Sequence, residues 1–157
     1  MKRFSIAIPA HNGERYLSRS IASALAQTRP ADEIVIVNDA STNGTVEIAH
    51  RTEFQLRVGY RYNAQATGFA DAWNRAVEYA VGEYVTILHQ DDLLHPGYLD
   101  SIEKSLDRFP SVQHQYAACN NVDEFDNVTP GNRLSRILCS RPCIKARITP
   151  IIICWEY

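Results

Sequence analysis

The sequence has no apolar run as long as a membrane span, and its opening residues, MKRFSIAIPAHNGE, become polar too soon for a signal peptide. Cysteine is scarce: the chain has four, and they lie late in the sequence without the spacing of a zinc site. Reduced thiols are therefore favoured over a metal or disulfide role. These absences predict a cytoplasmic protein, with the inner face of a membrane as the alternative location.

The sequence also lacks a large excess of charge of one sign and lacks glycine-rich phosphate-binding motifs. A net charge of −2 argues against nucleic acid as the main partner. The chain has neither a Walker-type phosphate loop nor G-x-G-x-x-G after its first apolar segment. A bound nucleotide would therefore need a metal ion, and not a glycine-rich backbone, to hold its phosphates.

The sequence does contain an alternation of strand and helix patterns within 157 residues, the length of one domain. Predicted strands cover 4–9, 34–37, 56–62, 84–88 and 112–119, and apolar residues at helical spacing lie between them. Ser41 or Thr42 is expected to cap a short helix, and Pro96 to lie in the first turn of the last one. This order predicts an α/β fold with a mostly parallel sheet and helices on both faces.

Polar clusters follow three of the predicted strands, at 10–14, 38–44 and 89–92. Ligands of open α/β sheets bind beyond the carboxyl ends of the strands, so these clusters are expected to share one edge. The last cluster ends in Asp91 and Asp92, which would repel each other without a cation or hydrogen-bond donors. Mg²⁺ or Mn²⁺ meets this need because both favour carboxylate together with phosphate oxygens. The structural alternative is that Asp92 caps the next helix while Asp91 is solvated.

Asp39 follows the second predicted strand directly and also has two interpretations. An acid there can accept hydrogen bonds from a ribose or a base edge, or it can open an Asx turn in NDASTNG. Beside the Asp91 cluster, the binding role is favoured.

Three segments resemble the inverting GT-A glycosyltransferases of family 2: SIAIPAHNGERYLSRSIASALAQT, DEIVIVNDASTNGT and ATGFADAWNRAVEYAVGEYVTILHQDDLLHPGYL. The resemblance runs from Phe4 to about Phe109. It implies a GT-A fold, truncated on the acceptor side, that binds a nucleotide-diphosphate sugar, commonly a UDP-sugar, with Mn²⁺ or Mg²⁺. The implied reaction transfers the sugar with inversion to a saccharide or lipid-linked acceptor, using a base that the family carries further downstream.

The resemblance also implies roles for single residues. Asp39 would contact uracil or ribose, Asp91 would be the second acid of the D-x-D metal motif, and Asp92 would support it or act as an alternative ligand. The residues implied for nucleotide binding are Pro9, His11, Asn12, Glu14, Asp39, Gly68, Asn74, Arg75, Gln90 and Asp91.

Two positions depart from the family pattern. His89 stands where the first acid of D-x-D is common, and it is expected either to contact the donor or to pack at the strand end. Trp73 stands where an arginine is frequent. The charge of the phosphates is therefore expected to be neutralised by Arg75 or by the metal. Trp73 itself lies on the apolar stripe of its helix and is expected to pack in the core.

The likeness is lost late in the chain, which predicts a binding domain at 1–126 and a basic, apolar tail at 127–157. The basic tail could contact a membrane surface or a lipid-linked acceptor. The other interpretation is a solvated tail, or an ending that a truncation or frameshift has produced. Residues 151–154 are expected to be exposed. Because no catalytic base can be assigned, two functions remain open. One is a metal-dependent glycosyltransferase or its donor-binding half, and the other is a non-catalytic nucleotide-binding remnant of that fold.

Overall fold

The computed structural model describes residues 2–51, 57–112, 114–117 and 151–153. Within them the strands are β1 Phe4–Ala10, β2 Glu33–Asp39, β3 Val58–Asn63, β4 Tyr84–Ile87, β5 His114–Tyr116 and β6 Ile151–Ile153. The helices are α1 Leu17–Leu25, α2 Thr45–Ala49, α3 Phe69–Tyr79 and α4 Tyr98–Arg108.

The strands form one sheet in the order β3-β2-β1-β4-β6-β5, and the pairings within the described residues are parallel. Near its end, β1 pairs Ala10 with Asn38 of β2 and Ala7 with Ile87 of β4. The carboxyl ends of β1, β2 and β4 therefore open onto the same edge. The predicted α/β fold with a parallel sheet is confirmed.

The central strands β1 and β2 are buried along almost their whole length because helices cover both faces of the sheet. Successive side chains of a strand point to opposite faces, so β1 and β2 each contribute to two clusters. Ile6, Ile8, Ile34 and Ile36 pack with residues of α1, α2 and α4. Ala7, Val35 and Val37 pack on the other side with Ala76 and Val77 of α3.

The predicted cap of the second helix is wrong. α2 begins at Thr45, and the Ser41 hydroxyl donates to Asn38 Oδ1 at 2.5 Å. Gly44 precedes the helix without a side-chain cap, and Asn43 Oδ1 accepts hydrogen bonds from the amide and the hydroxyl of Thr45 at 3.2 and 2.5 Å. Several short polar side chains in one turn leave the capping residue ambiguous from sequence.

The expected start of the last helix is also wrong. α4 begins at Tyr98 after Gly97, so Pro96 precedes the helix and Asp92 lies too far upstream to cap it. The Pro96 carbonyl instead accepts from the amide of Thr28 at 2.8 Å, which ties the turn before α4 to the end of α1.

Residues 151–153, part of the segment expected to be exposed, form β6 between β4 and β5, so their backbone is paired on both sides. Three β-branched residues suit a strand with backbone partners on both sides. Residue 154 and the boundary predicted at 126 lie outside the described residues, as does the end of the strand predicted at 112–119. No helix of the described part is long and apolar enough to cross a membrane.

Candidate functional site

A cleft of about 340 Å³ lies at the carboxyl edge of the sheet, where β1, β2 and β4 end. It brings together His11, Asp39 and Asp91 from three segments that are distant in sequence, as the strand order predicted. The predicted residues that line it are Pro9, His11, Asp39, Gly68, Gln90 and Asp91. Asn12, Glu14, Asn74 and Arg75 are not among its lining residues.

The His11 ring is held in one orientation by its neighbours. Its Nδ1 lies 2.6 Å from the Asp39 carbonyl oxygen, which can only accept, so Nδ1 carries the proton. The Asn12 side-chain amide lies 3.2 Å from the other ring nitrogen, Nε2, and donates to it. Both ring nitrogens are therefore engaged within the protein, and the faces of the ring are what His11 offers to a ligand.

Gln90 joins the loop after β1 to the loop after β4. Its Oε1 accepts from the His11 amide at 2.9 Å, and its Nε2 donates to the His11 carbonyl at 3.1 Å. Gly13 makes this possible, because a Cβ there would lie 2.3 Å from Gln90 Oε1. Any larger residue at position 13 would displace the Gln90 amide, so the pair fixes His11 relative to Asp91.

Asn12 and Glu14 do not line the cleft but hold its loops together by hydrogen bonds. Asn12 has a φ of 52° and accepts at Oδ1 from the Thr42 amide at 2.9 Å. Glu14 accepts at Oε2 from the Gly44 amide at 2.8 Å. The two side chains tie the loop after β1 to the turn after β2.

The Asp39 carboxylate is 3% exposed and is saturated with hydrogen bonds. Oδ1 accepts from Asn63 Nδ2 and Thr67 Oγ1, both at 2.9 Å, while Oδ2 accepts from the amides of Thr67 and Gly68 at 2.9 and 3.2 Å. Burial raises the pKa of Asp39, but these donors lower it by more, so the pKa lies below its usual value.

The donors to Asp39 place the beginning of α3. Gly68 precedes the helix with a φ of 87°, a left-handed conformation that glycine adopts without strain, and it has no side chain to cap the helix. The Asp39 carboxylate, at the end of β2, accepts from the amides of Thr67 and Gly68, the two residues before the helix. It therefore fixes the backbone at the point where α3 begins.

Asp91 and Asp92 lie in different surroundings. Asp91 is exposed at the cleft, and no side chain or backbone group of the described residues donates to its carboxylate. Asp92 is 8% exposed, and its Oδ2 lies 3.6 Å from His89 Nδ1. Asp91 is thus the acid that faces the cleft, and Asp92 faces the protein.

Asp91 fits a metal site of one kind. Among the described residues no group of three His, Cys, Asp or Glu side chains could hold an ion by itself. Mg²⁺, however, is usually bound by one or two carboxylates together with phosphate oxygens and water. An exposed carboxylate on the cleft matches that donor set once a diphosphate is present.

A polar stripe on α1 holds the loop that carries Asp91, and the sequence analysis missed it. Ser20 donates to the His89 carbonyl at 3.0 Å, and Ser23 accepts from the Leu94 amide at 3.1 Å. Gln27 donates to the His95 carbonyl at 2.9 Å and accepts from the Leu99 amide at 3.1 Å. The available signal was polar residues at spacings of three and four beside the apolar stripe of α1.

Three rings form an aromatic wall of the cleft: Phe69, Trp73 and His89. The Trp73 and His89 centroids are 4.5 Å apart, and Phe69 lies 4.6 Å from Trp73. The expectation that Trp73 belongs to the core is wrong, because it is half-buried and lines the cleft. Asn74 is exposed, and Arg75 Nη1 donates to Asn63 Oδ1 at 3.1 Å.

Comparison with known proteins identifies the family. The sequence profile described as "Glycosyl transferase family 2" matches residues 5–150. The chain belongs to glycosyl transferase family 2. This confirms the resemblance on which the site residues were predicted.

The chain is similar to several curated family members. It is 38% identical over 108 residues to a chondroitin synthase of Pasteurella multocida, covering 67% of this chain and 11% of that protein. It is 36% identical over 104 residues to the putative teichuronic acid biosynthesis glycosyltransferase TuaG of Bacillus subtilis, covering 66% and 40%. An uncharacterized glycosyltransferase of Rickettsia conorii is 33% identical over 129 residues, covering 81% and 19%. The chain thus spans less than half the length of these relatives.

Solved structures show the same fold. Residues 1–349 of S. aureus TarS superpose with a TM-score of 0.68 at 24% identity, in complex with UDP and in complex with UDP-GlcNAc. Each match covers 82% of this chain, and 38% and 37% of the respective TarS chains.

Proposed function

We propose that this family 2 chain binds the donor of a metal-dependent glycosyltransferase, a UDP-sugar, in the cleft at the carboxyl edge of the sheet. The observation that carries the proposal is the convergence of His11, Asp39 and Asp91 on one cleft from the ends of three parallel strands. Family membership supports sugar transfer, and the TarS complexes with UDP and UDP-GlcNAc support the choice of donor.

Asp91 would hold Mn²⁺ or Mg²⁺ together with the diphosphate oxygens. The ion, when bound, supplies positive charge to the diphosphate leaving group. The chain itself contributes a carboxylate whose position is set by Gln90 on one side and by the polar stripe of α1 on the other. Since the loop is held before the ligand arrives, little ordering is left to occur on binding.

The proposed reaction is a single displacement. An acceptor hydroxyl attacks the anomeric carbon opposite the diphosphate, the bond to the diphosphate oxygen breaks, and a base takes the hydroxyl proton, which inverts the configuration. The carboxylates lining the cleft within the described residues are Asp39 and Asp91. Asp39 is saturated with donors and Asp91 is assigned to the ion, so neither is proposed as the base.

For the acceptor we propose a saccharide or a lipid-linked saccharide, with the reaction in the cytoplasm and a peripheral contact with the inner membrane face. The names of the chondroitin synthase and of TuaG, a teichuronic acid enzyme, support an acceptor of cell-envelope polysaccharide type.

The direct test is the thermal unfolding of the chain with UDP, in the presence and absence of MnCl₂. We expect UDP with Mn²⁺ to raise the melting temperature more than UDP alone, because ligand that binds the folded state stabilises it by mass action. Asp91→Asn should abolish the metal-dependent part. Asp71→Asn, which removes an exposed carboxylate of α3 outside the cleft lining, should keep it.

Equal metal-dependent stabilisation of the wild type and Asp91→Asn would remove Asp91 from the metal role. Turnover is measured separately, as UDP release from UDP-GlcNAc and other UDP-sugars with a panel of acceptors. Binding without any turnover would favour the second candidate, a non-catalytic nucleotide-binding unit. The observation in its favour is that neither of the described carboxylates in the cleft can be assigned as the base.

A further inference from the structure

Two Asn-Gly dipeptides, Asn12-Gly13 and Asn43-Gly44, lie in the loops that follow β1 and β2 beside the cleft. They are the only two in the sequence. Asparagine is a thermolabile residue, and it is most labile before glycine, because no side chain shields the backbone nitrogen that follows it. Both loops therefore carry the dipeptide that is most prone to deamidation.

Close approaches between the loops require the two glycines. A Cβ at position 44 would lie 3.0 Å from Glu14 Oε2, the atom that accepts from the Gly44 amide at 2.8 Å. A Cβ at position 13 would collide with Gln90 Oε1. Each asparagine is thus followed by glycine because the contacts that join the loops leave no room for a side chain.

Deamidation at Asn43 would use the backbone nitrogen of Gly44. This nitrogen loses its proton and attacks the side-chain carbonyl carbon of Asn43. The bond from that carbon to the side-chain nitrogen breaks, and ammonia leaves with the proton, which gives a five-membered succinimide. Water then opens the ring at either carbonyl and leaves aspartate or isoaspartate, so water is the only other reactant.

The Glu14 carboxylate contacts the group that starts this reaction. A negative charge 2.8 Å from the Gly44 nitrogen opposes removal of its proton, because a second negative charge would form beside the first. Asn43 Oδ1 accepts from the amide and the hydroxyl of Thr45 at 3.2 and 2.5 Å, which limits rotation of the side chain toward the nitrogen. Glu14 therefore restrains the attacking atom, and Thr45 restrains the carbonyl that it attacks.

The other dipeptide is restrained through its asparagine side chain. Asn12 Oδ1 accepts from the Thr42 amide at 2.9 Å, and Asn12 Nδ2 donates to His11 Nε2 at 3.2 Å. Neither hydrogen bond involves Glu14. Asn12-Gly13 is therefore an internal reference for the effect of Glu14 on Asn43.

We infer that Asn43 is a site of spontaneous deamidation and that the Glu14 carboxylate keeps the reaction slow. No ligand takes part, so this inference does not depend on the proposed donor. Isoaspartate carries the backbone through the former side chain and adds one carbon to the turn that Asn12 and Glu14 tie to the loop after β1. Deamidation at Asn43 would therefore disturb the alignment of the two loops beside the cleft.

The test is incubation of the full chain at neutral pH, below its unfolding transition, with deamidation at Asn43 and Asn12 followed by peptide mapping and mass spectrometry. Glu14→Gln keeps an acceptor oxygen without the charge. We expect it to accelerate deamidation at Asn43 about 10-fold, a modest effect for a neighbouring charge on proton removal. Glu14→Ala also loses the hydrogen bond, which adds about fivefold and gives about 50-fold in total. The rate at Asn12 should stay unchanged in both variants.

Two further variants check the route of the reaction. Gly44 has a φ of −64°, which alanine adopts without strain, and the methyl group would shield the nitrogen. Glu14→Ala/Gly44→Ala should therefore return the rate at Asn43 toward that of the wild type. Glu47→Gln is the matched control, because Glu47 Oε2 lies farther away, at 3.9 Å from the position of a Cβ on Gly44. It should deamidate at nearly the wild-type rate.

Three outcomes would overturn the inference. An unchanged rate at Asn43 in Glu14→Ala would remove Glu14 from any control of the reaction. A slower rate would make Glu14 a base that promotes proton removal. An equal acceleration at Asn12 would show that the substitution had loosened the loops in general, and the contact with the Gly44 amide would then have no special role.

Discussion

Asp39 and Asp91 line the same cleft, at the end of β2 and beyond the end of β4, on either side of β1. The surroundings of the two carboxylates are nevertheless opposite. Asp39 is buried and accepts hydrogen bonds from Asn63, Thr67 and Gly68. Asp91 is exposed and receives no donor from the described residues. A carboxylate that is saturated with hydrogen bonds holds the surrounding loops in place, and one that is left without donors is available to a cation. The residue type is the same, but Asp39 is the last residue of β2 whereas Asp91 lies in the loop after β4, so the surroundings decide how each carboxylate is held.

The same contrast extends to the loops around the two acids. On the Asp39 side, Asn12, Glu14 and Asp39 connect three loops by hydrogen bonds to backbone amides. On the Asp91 side, α1 and Gln90 hold the backbone and leave the acidic side chain exposed. Both regions are therefore preorganised, but only the second presents an unsatisfied charge to a ligand.

The largest expected effect is a difference in the free energy of unfolding between variants of the two acids. Asp39→Asn places a side-chain NH₂ group among amide donors and should lower the free energy of unfolding by about 3 kcal/mol, the cost of one or two buried groups without partners. Asp91→Asn should change it by less than about 0.5 kcal/mol, as is usual at exposed positions. Urea denaturation of both variants is the measurement. Equal stability losses in the two variants would contradict the contrast.

A smaller effect is expected at Gln90, which connects the two regions. Gln90→Glu keeps the acceptor for the His11 amide but sets a carboxylate oxygen against the His11 carbonyl, where Nε2 donated at 3.1 Å. We expect a loss of about 1 kcal/mol in the free energy of unfolding, the net worth of one hydrogen bond. Affinity for UDP with Mn²⁺ should also fall, because the position of His11 relative to Asp91 is no longer fixed. Gln65→Glu, an exposed position with the same charge change, controls for electrostatics. If it matches Gln90→Glu in both measurements, the connection through His11 has no role.

The sequence predicted the sheet and the position of the cleft because both follow from local patterns. The run IVIV marks a strand covered on both faces, and polar clusters at three strand ends converge once the strands are parallel. It did not predict that Ser20, Ser23 and Gln27 hold the Asp91 loop, since their partners are about 70 residues away in sequence. Hydrogen bonds over such distances have no local signature.

The aromatic wall was missed for a related reason. Apolar spacing correctly grouped Phe69 and Trp73 with Ala76 on one side of α3, and Ala76 is fully buried against the sheet. Phe69 and Trp73, in the first half of α3, line the cleft at the carboxyl edge of the sheet, so the same helical face passes from core to cleft. Periodicity tells which residues share a face, and only the tertiary structure tells where the sheet beneath that face ends.

The smallest effect is expected from acid, and it tests whether the hydrogen bonds of Asp39 act on its charged form. The pKa of Asp39 is lowered in the folded state, so its contribution to stability is present above the unfolded value of about 3.9 and is lost as pH falls through the folded pKa. Between pH 7 and pH 3 the wild type should therefore lose more unfolding free energy than Asp39→Asn, which has no carboxylate there to protonate. Some acid sensitivity should remain in that variant, because the pKa of Asp32 is also lowered: burial raises it, but hydrogen bonds from the Phe4 amide and Arg29 lower it by more. Urea denaturation across this range measures both slopes. Parallel curves for the wild type and Asp39→Asn would mean that Asp39 is not held as a carboxylate by its donors, and the contrast with Asp91 would then reduce to burial alone.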